Sequence, residues 1–324
     1  MAKSRNIEDV LAGLSALRGR PVTAEGSEQI VKALGSRVSF VVERAADLAR
    51  ELKVTGLDVE LCRAFARFLN DSKLSDKGCG AKTALARAAV ELECGEEELF
   101  RIGIRQVQME GSFGAPVDVA AELRGLCGLG LVQVRSREAM NRLVELLNDR
   151  QPPARIGAVR ALTYSGREEG ILLLRFKALS GDREPAVVGE CLTALISLQP
   201  REAVEFVGQF LDSAEESVRD EAALALGTSK DPGALELLKR QYATTADRAF
   251  QQTLLTSIAG LRRPEAVEFL IKIVEAEGPA AAADAVAAAR IFRNDSALRE
   301  RIKRAVASRG DPALQATFDK QFSV

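Results

Sequence analysis

The stretch 103–124 holds the densest set of groups able to do chemistry: Arg105, Gln108, Glu110, Asp118, Glu122 and Arg124, gathered around the glycine-bearing run Gly111-Ser112-Phe113-Gly114. Asp118 and Glu122 are four residues apart, so a helix beginning at Asp118 puts both carboxylates on one face. Two carboxylates flanked by cations suit a ligand, a metal ion or a peptide. A Mg²⁺ or Ca²⁺ site needs several converging oxygens, more than one helix face supplies. The competing reading is a structural ion ladder in which Asp118 lies between Lys82 and Arg155 of the flanking helices and Glu122 is solvated. The Gly111–Gly114 run lacks the spacing of a phosphate-binding loop and no strand is expected before it, which speaks against nucleotide.

The rest of the chain narrows the chemistry further. It has 324 residues and no histidine. That excludes His-based acid–base catalysis, Ser–His and Cys–His pairs and His-ligated metals. The cysteines are Cys62, Cys79, Cys94, Cys127 and Cys191, with no two at C-x-x-C spacing. Cys79, between Gly78 and Gly80, is the one expected in a loop where it could be exposed. No cofactor or metal is expected, and the absence of histidine weighs against an enzyme while leaving chemistry that needs no histidine open. Lys and Arg total 45 against 46 Asp and Glu, a net charge of −1. A dedicated nucleic-acid binder normally carries a basic excess. The start of the chain is polar, without a signal-peptide core, and no apolar run reaches membrane-spanning length; Asp284 interrupts even the alanine-rich stretch 278–289. A cytoplasmic protein away from membranes is the expectation.

The elements that must position these groups are helices at a repeating interval. Segments starting at Arg137, Arg167, Arg201, Asp231, Pro264 and Asp295 lie 30, 34, 30, 33 and 31 residues apart. Each has an apolar run, a short polar break and a second run rich in Ala and Leu. Such a period means stacked helix pairs, each packing only on its neighbours. The expected fold is all-α, a right-handed superhelix of antiparallel helix pairs. Residues 1–26 form a capping helix and loop, 27–135 degenerate repeats, 136–294 regular repeats and 295–324 a capping repeat, all one continuous domain. No strand is expected. Gly166, Gly227 and Gly260 fall where helices should end. Asp149, Asp182 and Asp212 fall in turns where carboxylates accept backbone N–H bonds. Tyr164, Tyr242 and the phenylalanines are expected to fill the core.

The turn and second helix resemble HEAT repeats, best at Asp212–Gly227 with Val218-Arg219, Ala222-Ala223 and Ala225-Leu226-Gly227, and again from Asp149 through Arg155, Ala158 and Ala161-Leu162. They look like the short variant found in phycobilin lyases and bacterial scaffold proteins. The whole chain is similar to a family of bacterial HEAT-repeat proteins in which the stretches 77–82 and 103–125 are distinctive. The resemblance implies a ladder between a turn Asp and an Arg six residues on. Asp149 and Arg155 keep that spacing, Asp76 and Lys82 reproduce it, and Asp212 and Arg219 have one residue more. The ladder lapses at Asp182, which is followed by Val188, and Asp118 occupies the cation's slot with reversed sign.

What the resemblance implies for function is an interaction scaffold that presents its inner, concave face to a protein or peptide. Arg87, Arg155, Arg160, Arg219, Arg248 and Arg290 sit at second-helix positions of that face. The alternative is an enzyme similar to the phycobilin lyases, or a ligand-binding protein, using the cluster around 103–124. Asp118 would then meet the pyrrole nitrogens of an open-chain tetrapyrrole. A third reading, a resemblance to the HEAT-like alkylpurine DNA glycosylases, fits poorly with the absence of Trp and of net positive charge. The lack of histidine removes the di-iron hydroxylases built from similar repeats.

Overall fold

Helix starts and stops written in the sequence account for most of the architecture. Six helices begin with proline at their first position, where its fixed φ is pre-set and its missing N–H costs nothing. Asp231, Asp247, Asp295 and Asp311 each accept a backbone N–H from the first turn of the helix that follows. A computed structural model describes residues 2–69, 76–111 and 114–323, with side chains from residue 7 on. The chain is an all-α repeat fold that divides into two compact units, Met1–Gly170 and Ile171–Val324.

The first unit contains α1 (Ala2–Ala16), α2 (Ala24–Leu34), α3 (Ser39–Glu51), α4 (Asp58–Leu69), α5 (Gly80–Glu91), α6 (Glu97–Gly103), α7 (Ala121–Gln133), α8 (Ala139–Leu147) and α9 (Pro152–Ser165). Helix α10 (Glu168–Ser180) crosses the division. The second unit continues with α11 (Pro185–Leu198), α12 (Glu202–Gly208), α13 (Glu216–Thr228), α14 (Pro232–Thr244), α15 (Arg248–Gly260), α16 (Pro264–Ala276), α17 (Pro279–Ala288), α18 (Ser296–Ser308) and α19 (Pro312–Phe322). In the first unit the second helices stack in series, α3 on α5, α5 on α7 and α7 on α9; in the second unit α11, α13, α15, α17 and α19 do the same.

Small residues let these second helices approach closely. In α5, Ala81, Ala84, Ala86, Ala88 and Ala89 are all buried. At the α7–α9 crossing Gly125 faces Gly157, and a Cβ on Gly157 would stand 2.3 Å from Gly125 Cα. The α13–α15 crossing uses Gly227 and Gly260 in the same way, and a Cβ on Gly227 would reach Ser257 O at 2.7 Å. This corrects one expectation: Gly227 and Gly260 lie inside α13 and α15 as packing residues, and of these three glycines only Gly166 (φ 61°) caps a helix in the left-handed region. The other second-helix exits put Lys53, Glu93, Arg135, Lys230 and Arg262 at positive φ, where glycine is the unstrained choice.

Three further expectations are corrected. A short hairpin exists: Met109–Glu110 (β1) pairs antiparallel with Val117–Asp118 (β2), Met109 opposite Asp118. Two-residue strands are too short to leave an alternating pattern in the sequence. Tyr164 is 59% exposed, whereas Tyr242 is buried and meets Phe269 edge-on. Asp212 ends a 3₁₀ turn (Gln209–Asp212), and Ser213 takes the capping role by accepting Glu215 N. Among the described residues no helix is long and apolar enough to cross a membrane.

Candidate functional site

The polar residues of 76–155 form one connected network inside the first unit. Asp76, fully buried, caps the start of α5: its Oδ1 accepts Ala81 N at 2.8 Å and its Oδ2 accepts Lys82 N at 3.1 Å. The buried Lys82 ammonium lies 3.6 Å from Asp76 Oδ2 and donates to Gln108 Oε1 at 2.7 Å. Gln108 Nε2 donates to the Asp76 carbonyl (2.8 Å) and to Glu110 Oε1 (2.6 Å). Glu110 also accepts Gly78 N at 2.9 Å. The hydrogen bonds from Gln108 and Gly78 N hold its carboxyl below the usual carboxylate range.

The hairpin carries the network across to the next repeat. Asp118 on β2 accepts Gln108 N and Ala120 N, both at 3.1 Å, and Arg124 Nη1 at 2.7 Å. Burial works to raise the Asp118 pKa. The two backbone N–H groups and the guanidinium outweigh it, and the carboxyl sits below its ordinary value. Arg124 also donates to Gln106 O and, through Nε and Nη2, to both carboxylate oxygens of Asp149 at 2.8 and 2.9 Å. That fork is the bidentate geometry a guanidinium favours. Asp149 accepts Gln151 N, and Arg155 Nη1 donates to the carbonyls of Asp149 and Arg150.

Lys82, Gln108, Glu110, Asp118 and Arg124 are thus brought together, joined by Asp76 and Asp149, while Arg155 engages the same turn as Asp149. Arg105 and Glu122 stand apart: Arg105 is exposed, 3.9 Å from Glu138, and Glu122 pairs on the surface with Arg87 at 2.6 Å. Asp118 and Glu122 do not share a helix face, because α7 starts only at Ala121 and Asp118 belongs to the hairpin. Nor is Asp118 in a cation's slot. It is a turn Asp with Arg124 six residues on, the same spacing as Asp76–Lys82 and Asp149–Arg155. The signal was in the sequence; placing the helix start at Asp118 hid it.

Cys79 is also corrected. It lies in the left-handed region (φ 59°) with its side chain fully buried, and burial pushes its thiol up to about 11. The flanking glycines marked a tight turn; Gly78 has φ 75°. Ser112 and Phe113 of the glycine-bearing run lie outside the described residues. No group of three or more Asp, Glu or Cys among the described residues is placed to hold a metal ion. In the second unit the turn carboxylates find other partners. Lys177 meets Asp182 at 2.7 Å, where the ladder was expected to lapse, and Arg219 reaches Asp247, not Asp212, at 3.3 Å.

Residues 172–251 match the family of HEAT repeats. This stretch of the chain is built of HEAT repeats. The match covers most of α10, all of α11 to α14 and the start of α15. Among solved structures, the chain is similar to the complex of CpcE and CpcF of phycocyanin lyase from Nostoc sp., at 16% identity over 78% of this chain and 94% of that one, with a TM-score of 0.36. Human deoxyhypusine hydroxylase in complex with glycerol is similar at 19% identity over 81% of this chain and 98% of that one, TM-score 0.33. An engineered protein follows at 17% identity over 90% and 96%, TM-score 0.22. Likenesses this distant carry no activity over. No curated protein matches the chain.

Proposed function

We propose that this HEAT-repeat protein is an interaction scaffold whose partner is a protein or peptide. The observation that carries the reading is on α10: Leu172, Phe176 and Leu179 are 67, 70 and 66% exposed. Their spacing of four and three residues sets them on one helix face. Large apolar side chains scattered singly need no explanation, but a contiguous set marks a docking surface. Covering side chains of this size is worth about 1.5–3 kcal/mol each. The polar network of 76–155 supports a structural role for itself, since its carboxylates and cations are already engaged with one another and with backbone groups. In the scaffold reading it holds neighbouring repeats in register.

The test is a photoreactive amino acid in place of Phe176, irradiated in the cells that make the protein. The expected result is one or a few discrete covalent adducts, absent when the same group replaces the exposed Glu300. No adduct at position 176, or the same adducts from both positions, would overturn the reading.

A further inference from the structure

A groove of about 680 Å³ runs across the C-terminal ends of α13, α15 and α17 in the second unit. Its floor exists because Gly227, Ser257 and Gly260 are small where α13 and α15 cross. Arg262, Arg290 and Arg293 rim it, and no Asp or Glu lines it. All three arginines are exposed.

These arginines differ from several others of the stacked helices. Arg87, Arg219 and Arg248 are each engaged by a carboxylate, of Glu122, Asp247 and Asp284. Arg263 and Arg309 reach back to carbonyls at helix ends. Among the described residues, the side chains of Arg262, Arg290 and Arg293 have neither an ion pair nor a hydrogen bond. Between them Leu224 and Ile291 stand 45 and 40% exposed, and Thr228, Thr256 and Asn294 offer groups able to hydrogen-bond a passing main chain.

We infer that this groove binds an extended acidic peptide segment whose carboxylates meet Arg262, Arg290 and Arg293 and whose apolar side chains cover Leu224 and Ile291. The inference rests on the scaffold reading and names the chemistry of one partner. Guanidinium forks match carboxylates, and charge complementarity selects the partner's sign. A polynucleotide is the poorer fit. No aromatic side chain lines the groove to stack a base, and the chain as a whole carries a net charge of −1.

The test uses the full chain and fluorescein-labelled synthetic peptides of repeating Gly-Glu-Leu-Glu, followed by anisotropy. The comparison probes are the same peptide with Lys for Glu and a labelled oligothymidylate. The Glu peptide should bind, more weakly as salt rises, and the Lys peptide should not. Reversing all three arginines (Arg262→Glu, Arg290→Glu, Arg293→Glu) should weaken binding at least about tenfold. The same charge change at the exposed Lys303→Glu, Arg304→Glu and Lys320→Glu should leave it within about twofold. No binding by the wild type, equal loss in both triple variants, or preferential binding of the oligothymidylate would overturn the proposal. Cross-linking from position 176, repeated in the arginine-reversed protein, separates the two ideas. Adducts that persist while the peptide fails to bind sink the groove alone; their absence from the wild type sinks the scaffold reading.

Discussion

Arg124 in the first unit and Arg219 in the second do the same job in unlike surroundings. Each sits on a second helix and reaches the turn Asp of the following repeat. Arg124 has a side chain 5% exposed and donates to two carboxylates and a carbonyl. Arg219 is 22% exposed, makes one contact of 3.3 Å to Asp247, leaves its Nε without a partner and lies over the Phe250 ring. The difference comes from what surrounds the turn. In the first unit the segment leading into the β1–β2 hairpin and Asp118 at its end surround the Arg124 side chain, through Gln106 O and the Asp118 carboxylate, and bury it. In the second unit no hairpin is present among the described residues, and the corresponding Asp247, 39% exposed, stays in contact with solvent. The same ladder is therefore a buried network at one place and a surface ion pair at the other.

The largest expected effect separates the two arginines directly. Arg124→Met strands Asp118 and Asp149 without their cation and should cost about 3–5 kcal/mol in urea unfolding. Arg219→Met should cost less than about 1 kcal/mol. Equal costs would break the comparison. A second contrast is steric. Gly157→Ala drives a Cβ to 2.3 Å from the Gly125 backbone, while Gly260→Ala meets Gly227 O at 3.1 Å. The first should lower stability by about 3 kcal/mol and the second by about 1 kcal/mol, read from paired denaturation curves.

Acid should also distinguish the units. Asp118 has a folded pKa below its ordinary 3.8, so its stabilisation is present above that value and is lost as pH falls through the folded pKa. Glu221 on α13 is shifted the other way, raised by burial and then by the Asp220 and Glu190 carboxylates. It weakens the fold at neutral pH, and that penalty fades as pH falls through its folded pKa. Glu221→Gln should therefore raise the melting temperature at pH 7 but not at pH 4, and Asp118→Asn should flatten the acid limb below pH 4. A melting profile with neither change would leave the two sites equivalent. The smallest effect is local. Glu93→Gly relieves an exposed residue at φ 55° and should stabilise by up to about 1 kcal/mol, visible as a small rise in melting temperature.

Much of this was legible beforehand because it is local. The helix pairs at 24–51 and from Ala139 to Phe322 follow from apolar periodicity, Asp caps and Pro starts, each of which acts within a turn of itself. Asp76–Lys82 and Asp149–Arg155 were legible as spacings of six. Asp118–Arg124 has the same spacing, but its meaning was hidden because two strand residues and a turn displace the start of α7 by three positions, and nothing within the segment announces so short a hairpin. Tyr164 and Tyr242 are alike as residues; their opposite exposure depends on neighbours far along the chain.

By itself the sequence determined that this chain is an all-α repeat protein, where the helices that open on Pro or an Asp cap begin, and, through the absence of histidine, which chemistries it lacks. These follow from period, capping and composition, which need no knowledge of distant contacts. Only the tertiary structure decided that Arg124 joins Asp118 to Asp149, that Gly227 and Gly260 are packing residues, and that Leu172, Phe176 and Leu179 stay uncovered. Burial and pairing are properties of two or more segments together, and the distances that settle them exist only once the helices are stacked.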